Sequence, residues 1–215
     1  MKIMDKRKLF QLRSIEAVKS EMKILATLIH PYILYLQYAF HDVSNCYLVS
    51  EYLSGGNLRF HLNNPRNVFT ERQAQFIVAC LILGVEFLHN NGVIHRDIRP
   101  ENIIFDAEGY CKLSDFCMAR VWQKENACDT SGHAGYIAPE VLLREPHSLQ
   151  SDYFAIGIVA HELMKGHKPW DAPNREVYRE NVLKSQYSLK KAMTPETWTH
   201  EASDFINKCI KRKRN

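Results

Sequence analysis

The sequence lacks the features that would place it among membrane, secreted or zinc-binding proteins. No run of apolar residues approaches the roughly 18 that a membrane-spanning helix needs. The opening residues, MKIMDKRKLF, carry charge but no apolar stretch, so we expect no signal peptide. The six cysteines form no CxxC motif and no Cys/His pairing, so no structural zinc site is indicated. We therefore expect free thiols in a reducing compartment, a cytoplasmic location and no membrane span.

Strong charge and internal repetition are also missing. The net charge is +4 over 215 residues, and the one dense basic run is 211–214. Because cations suit the C-terminal end of a helix dipole, we expect a solvated helix end there and no nucleic-acid partner. Apolar residues make up 46% of the chain and charged residues 24%, which favours a globular domain with a substantial core.

Hydrophobic periodicity predicts a small strand-containing part followed by a larger helical part. Helices are predicted over 14–27, 70–91, 150–165, 174–184 and 199–211, and strands over 34–40, 46–52, 103–105 and 110–113. Asn57 is predicted to cap a short helix, and Thr70-Glu71-Arg72-Gln73 reads as a capping box. In the long helix that follows, Phe76, Cys80, Leu83 and Phe87 share one predicted apolar face. The break Ser54-Gly55-Gly56 is the predicted hinge between the two parts.

The most informative segment is His95-Arg96-Asp97-Ile98-Arg99-Pro100-Glu101-Asn102, which lies between a long helix and a strand, where loops carry function. Asp115-Phe116-Cys117 follows 18 residues after Asp97, Ala138-Pro139-Glu140 comes next, and Asp152 lies twelve residues beyond Glu140. In order and spacing these segments resemble the HRDxxxxN, DFG and APE motifs of the eukaryotic protein kinase family. The stretches YLVSEYLSGG and HRDxRPEN most resemble serine/threonine kinases of the cyclic-nucleotide-dependent, AGC-like group. The resemblance covers the whole chain.

The resemblance implies a bilobal α+β fold and an ATP- and Mg²⁺-dependent protein serine/threonine kinase. Residues 1–215 would form one partial kinase domain, with 1–53 as an incomplete small lobe and hinge and 54–215 as the helical large lobe. The implied reaction moves the γ-phosphoryl group of ATP to a protein hydroxyl, so the implied partners are ATP and a protein substrate. Such a transfer needs charge neutralisation, in-line alignment and a polarised hydroxyl more than covalent chemistry.

The resemblance also assigns roles to single residues. Asp97 would orient the substrate hydroxyl and accept its proton, while Arg99 stands where the family has a lysine that touches the transferring phosphate. Lys2 matches the strand lysine that is aimed at the ATP phosphates by a glutamate, here Glu21. The implied metal ligands are Asn102 and Asp115, because Mg²⁺ prefers oxygen donors. The residues assigned to nucleotide binding are Lys2, Ser50, Glu51, Leu53, Glu101, Ile104 and Asp115, with Ser50 at the gatekeeper position and the backbones of Glu51 and Leu53 at the adenine edge.

Further matches concern packing, regulation and substrate choice. His95 and Phe116 match residues of the family's regulatory spine, which Asp152 would anchor. Asp129 stands at the usual phosphorylation site of the activation segment, opposite Arg96, and Thr130 is a predicted auxiliary site. Glu101 and Glu162 match two of the carboxylates that read arginines in basic substrates, and Asn57 replaces a third. We therefore expect a weakened preference for basic peptides, retained nearest the acceptor.

Four departures from the family pattern bear on activity. The sequence opens at the phosphate-anchoring lysine, so the glycine-rich loop that precedes it in the family is absent from these 215 residues. Cys117 replaces the glycine of DFG, Arg99 replaces a lysine, and His133-Ala134 stands in the place of Thr-Pro. Impaired transfer is therefore expected of this chain.

Two rival functions stay open at this stage. The first is a pseudokinase that serves as a binding or scaffold module, which nucleotide-binding and transfer assays together would distinguish. The second is a kinase of small molecules, against which the APE motif and the preceding Gly135-Tyr136 argue, because that segment shapes a peptide groove. The sequence leaves open the substrate protein, the pathway and the upstream regulator.

Overall fold

The computed structural model describes residues 1–12, 14–64, 68–124, 128–146 and 149–212. Of the basic run 211–214, residues 213 and 214 lie outside this described part. The predicted α+β class is confirmed. All six cysteines are free thiols, as expected.

The N-terminal part is a small antiparallel sheet with two helices. Its elements are β1 (Lys2–Asp5), α1 (Lys6–Gln11), α2 (Ile15–Thr27), β2 (Leu36–His41) and β3 (Asn45–Ser50). The strand order is β1-β3-β2, with Lys2 opposite Leu48. Helix α1 was not predicted. It begins at Lys6 because the carboxylate of Asp5 accepts hydrogen bonds from the N–H groups of Arg7 and Lys8.

The C-terminal part is mainly helical. Its elements are α3 (Leu58–Leu62), α4 (Glu71–Asn90), β4 (Val93–Ile94), β5 (Ile103–Phe105), β6 (Cys111–Leu113), β7 (Arg120–Val121), α5 (Pro139–Leu142), α6 (Gln150–Lys165), α7 (Arg175–Lys184) and α8 (His200–Cys209). Short 3₁₀ turns cover Pro100–Asn102 and Lys191–Met193. The predicted caps of α3 and α4 are confirmed, including both bonds of the capping box between Thr70 and Gln73.

Helix α6 is the centre of the core. It packs between α4 and α8, and its residues from Ser151 to Met164 are almost all buried. Its contact with α8 is very close, because a Cβ added to Gly157 would lie 2.5 Å from the Cβ of Cys209. Two carboxylates on this buried helix, Asp152 and Glu162, reach the site described below.

The buried face of α4 differs from the predicted one. Phe76 and Leu83 are 43% and 46% exposed, whereas Ile77 and Leu81 are almost fully buried. The helix packs against both α6 and β6, so its buried surface is wider than one stripe and is rotated from the predicted face. By length and apolar composition alone α4 could cross a membrane, but core helices pass the same test, and the absence of a membrane span stays a prediction.

At the predicted break, Ser54-Gly55-Gly56, the backbone lies very close to the end of β5. Gly55 donates its N–H to the carbonyl of Phe105 at 2.9 Å. A Cβ on Gly55 would lie 2.7 Å from the Cβ of Phe105 and 2.8 Å from the carbonyl oxygen of Asp106, so only glycine fits. The division into lobes at residues 53 and 54 stays a prediction.

Candidate active site

One buried carboxylate holds the segment that begins at His95. The Asp152 side chain accepts hydrogen bonds from the backbone N–H groups of His95 at 3.0 Å and Arg96 at 2.9 Å, and Nε2 of His89 lies 2.9 Å from it. Arg96 has a φ of 65°, a left-handed conformation that is unfavourable for a residue with a side chain. Asp152 therefore holds the loop in a shape that it would not adopt alone.

Asp97 lies at the centre of a group of polar side chains and is itself only 3% exposed. One of its oxygens lies 2.6 Å from Nδ1 of His133, and the other accepts a hydrogen bond of 2.9 Å from Nδ2 of Asn102. Nε of Arg99 lies 3.6 Å from the second oxygen. A carboxylate oxygen accepts hydrogen bonds, so Nδ1 of His133 is assigned as the donor in this contact. His133 thus contacts Asp97 from the position where the family has threonine.

Lys2 and Glu21 form the predicted ion pair, with Nζ of Lys2 2.8 and 2.9 Å from the two Glu21 oxygens. Nζ of Lys2 also lies 3.5 Å from a carboxylate oxygen of Asp115. Burial opposes the charge on Lys2, but its bonds to Glu21 outweigh burial, and the pKa of Lys2 is raised. Burial dominates for Glu21, whose side chain is 4% exposed against 43% for Lys2, and its pKa is also raised. Lys2 therefore stays charged beside two carboxyl groups.

Ser114 joins the Asp97 region to the Asp115 region. Its N–H and its hydroxyl both donate to the carbonyl of Asn102, at 2.8 and 2.9 Å. His95 Nε2 lies 3.1 Å from the Ser114 carbonyl, and the His95 and Phe116 rings meet edge to face at 4.8 Å. These contacts bring the two predicted metal ligands, Asn102 and Asp115, to neighbouring positions.

The two predicted metal ligands offer oxygen atoms suited to a magnesium ion. The amide nitrogen of Asn102 donates to Asp97, so its amide oxygen is left to face a cation. Burial would raise the pKa of Asp115, but Lys2 and hydrogen bonds from Cys117 outweigh it and the pKa is lowered. Within the described ranges no group of three His, Cys, Asp or Glu residues is placed to hold a metal. Two protein oxygens fit Mg²⁺, which usually keeps waters and substrate phosphates as its other ligands.

The residues predicted to bind adenine lie along the connection from β3 to the helical part. Ser50, Glu51 and Leu53 are half-buried, as is Ile104 on β5. The Glu51 N–H donates to the carbonyl of Tyr35 at 3.0 Å, which leaves the Glu51 carbonyl for the adenine edge. The Glu51 side chain is held away by the N–H of Tyr35 and by Nζ of Lys112, at 2.8 and 2.7 Å. Contacts of these residues with a nucleotide stay predictions.

Cys117 does not strain the backbone in this conformation. Among the described non-glycine residues, positive φ angles occur at Arg96, Asp115 and Arg144, so the position that is glycine in the family does not need a left-handed backbone here. Burial, and then the charge of Asp115, raise the pKa of the Cys117 thiol to about 12. The neutral thiol can therefore donate a hydrogen bond to Asp115.

The activation segment shows the expected pairing of Arg96 with Asp129. Nη1 of Arg96 lies 3.4 Å from the Asp129 carboxylate, and Nε donates to the carbonyl of Met118 at 2.8 Å. Thr130, the predicted auxiliary site, is exposed. It lines a cavity of about 430 Å³ together with Arg144, Arg175 and Arg179.

One residue of the site was not found from the sequence. Arg59, on the short helix α3, lies 2.7 Å from carboxylate oxygens of both Glu101 and Glu162. Glu101, assigned to nucleotide binding, therefore also has a partner within the chain. From sequence alone, an arginine on a short helix is usually interpreted as a solvated side chain. The partners of Arg59 lie 42 and 103 residues away, beyond the range of any local pattern.

Comparison with known proteins identifies the family. The protein kinase domain family matches residues 1–215. A probable serine/threonine-protein kinase of Dictyostelium discoideum is 34% identical over 210 residues, which is 96% of this chain and 44% of that protein. Ribosomal protein S6 kinase beta of Caenorhabditis elegans is 36% identical over 196 residues, 90% of this chain and 34% of that protein. The cAMP-dependent protein kinase catalytic subunit of Schizosaccharomyces pombe is 31% identical over 195 residues, 91% of this chain and 38% of that protein. The chain thus spans less than half the length of each of these relatives.

Proposed function

We propose that this chain, which belongs to the protein kinase domain family, transfers the γ-phosphoryl group of ATP to a serine or threonine hydroxyl of a protein. The observation that carries the proposal is the buried Asp97, held by Asn102 and His133. The Dictyostelium discoideum relative is named a probable serine/threonine-protein kinase, which supports the same acceptor class.

In the proposed reaction the substrate hydroxyl oxygen attacks the γ-phosphorus while the bond to the oxygen of the ADP leaving group breaks. Asp97 accepts the hydroxyl proton, and His133 fixes the orientation of the carboxylate by donating to its other oxygen. Arg99, 3.6 Å from Asp97, places positive charge beside the transferring group. Lys2 would bind the phosphates. Mg²⁺, when held by Asn102 and Asp115, would neutralise phosphate charge.

A pair of measurements tests this function against the pseudokinase alternative. Nucleotide affinity is measured with and without Mg²⁺, and transfer from γ-labelled ATP to a mixed peptide library is measured on the same preparation. The proposal predicts Mg²⁺-enhanced binding together with transfer to serine or threonine. Binding without any transfer would favour the scaffold alternative, and label on a small metabolite but on no peptide would favour a small-molecule kinase.

Replacing Ser50 by phenylalanine is expected to abolish binding of a bulky adenine-site inhibitor while ADP binding persists. Serine at the end of β3 is small and half-buried, so the predicted pocket behind the adenine is open in the natural protein. The phenylalanine ring would fill that pocket. Calorimetric titration with the inhibitor and with ADP checks the result, with Ser185→Phe on the exposed end of α7 as the control. Equal inhibitor binding by both Ser50 forms would show that Ser50 faces elsewhere.

A further inference from the structure

Arg59 binds two acidic side chains and a tyrosine at once. Its Nε and Nη1 lie 2.7 Å from oxygens of Glu101 and Glu162, and its Nη2 donates to the Tyr136 hydroxyl at 2.7 Å. The Tyr136 hydroxyl in turn donates to the second oxygen of Glu162 at 2.6 Å. These four residues, here called the Arg59 cluster, use all three nitrogens of one guanidinium group in charge-assisted bonds.

The cluster is buried at Glu162 and Tyr136 and partly exposed at Arg59 and Glu101. The side chain of Glu162 is 4% exposed and that of Arg59 is 23% exposed. Burial raises the pKa of Tyr136, so its hydroxyl keeps the proton that it donates. Burial would raise the pKa of Glu101, but the bond from Arg59 outweighs it and the pKa is lowered. Both carboxylates are therefore already paired with a cationic side chain of the same protein.

The cluster lies beside the proposed acceptor position. Arg99 bridges the two sites, with Nε 3.6 Å from Asp97 and Nη1 3.8 Å from Glu101. On the other side Tyr136 follows three residues after His133, which contacts Asp97 directly. A peptide whose hydroxyl reaches Asp97 must therefore pass next to Glu101 and Glu162.

We propose that Arg59 fills an acidic subsite of the peptide groove, so that this protein takes substrates whose residue at that subsite is neutral or acidic. The proposal rests on the proposed function. Without Arg59, the carboxylates of Glu101 and Glu162 would attract an arginine of the substrate, as the resemblance to the cyclic-nucleotide-dependent group implies. A substrate arginine must instead displace a guanidinium that is tethered to the chain and therefore always present at high local concentration. Arg99, near Glu101, and Lys168, over the Tyr136 ring, also lie near the subsite and would repel a substrate arginine.

Peptide binding gives a test that does not depend on transfer. Two fluorescent peptides differ only in carrying arginine or alanine at the two positions before the serine, and their anisotropy is measured with a non-hydrolysable ATP analogue. The natural protein is expected to bind the pair within about threefold of each other, whereas Arg59→Ala is expected to prefer the arginine peptide by about tenfold or more. The matched control is Arg72→Ala, which removes an arginine from the first turn of α4. A natural protein that already prefers arginine tenfold would overturn the proposal, and so would a folded Arg59→Ala form without any gain.

Chemical rescue covers the case in which Arg59→Ala is poorly folded. Loss of Arg59 leaves the buried Glu162 with Tyr136 as its remaining partner, so the melting temperature should fall. Ethylguanidinium is expected to restore it in the variant and to leave the natural protein unchanged, while ethylammonium restores less because it cannot bridge both carboxylates. If rescue succeeds but neither form binds any peptide, the subsite is not part of a peptide groove. If Arg59→Ala gains a preference for the arginine peptide but the protein shows no phosphoryl transfer, the proposed reaction is refuted while the proposal about the subsite stands.

Discussion

Changing Asp97 to asparagine is expected to lower the rate of phosphoryl transfer by about a hundred- to ten-thousandfold, the usual contribution of a positioned acid or base. The side chain keeps its volume but loses the oxygen that accepts the hydroxyl proton. Its amide group must also point its N–H₂ at either His133 or Asn102, both of which donate to Asp97 in the natural protein. Orientation of the side chain is therefore lost together with basicity.

Single-turnover kinetics with saturating Mg²⁺-ATP measure this effect, and nucleotide affinity is measured on the same samples. Affinity for ATP should change little, because Asp97 is not among the residues assigned to nucleotide binding. Asp204→Asn, on the exposed face of α8, is the matched control and should keep full activity. Retention of more than a tenth of the natural rate in the Asp97 variant would remove Asp97 from the proposed mechanism.

Changing Asp152 to alanine is expected to lower the free energy of unfolding by about 3–5 kcal/mol, the range measured when one partner of a buried charged interaction is removed. Asp152 is 1% exposed, and its carboxylate accepts hydrogen bonds from the N–H groups of His95 and Arg96. Each buried donor left without an acceptor costs about 1–3 kcal/mol. Arg96 would also lose the contact that holds its left-handed backbone.

Urea denaturation followed by circular dichroism measures the loss. Asp152→Asn should fall between the natural protein and the alanine form, because its amide oxygen can still accept one of the two bonds. Asp204→Ala is the surface control and should stay within about 0.5 kcal/mol of the natural protein. A loss below about 1 kcal/mol for Asp152→Ala would mean that the loop is held by other contacts.

Local signals predicted most of the helix ends, but not which face of a helix is buried. The capping box at Thr70 located the start of α4, since both of its bonds form between residues three apart. The buried face of α4 depends on two distant elements, α6 and β6, so Phe76 and Leu83 could not be judged from spacing alone. Helix α1 is six residues long, too short for periodicity to reveal it.

In the candidate site, contacts between motif residues were predicted from the sequence, and contacts outside the motifs were not. Resemblance to the kinase motifs predicted the pairing of Lys2 with Glu21 and of Arg96 with Asp129. A match to a motif indicates which residues far apart in the chain come into contact in the fold. Arg59 belongs to no such motif. Its role depends on where α3 lies relative to Glu101 and Glu162, which only the folded chain shows.

The hydrogen bond between the loop that begins at His95 and helix α6 also sets an order of assembly. Its partners, His95 and Asp152, are 57 residues apart in the chain. While the protein emerges from the ribosome, α2 and α4 are complete long before Asp152 has been added. The loop must wait for α6 to be made and to dock, because its N–H groups donate to Asp152 on that helix, and closing so long a segment has an entropic cost. The segment that carries the proposed chemistry therefore reaches its final shape only after the chain has been made as far as α6.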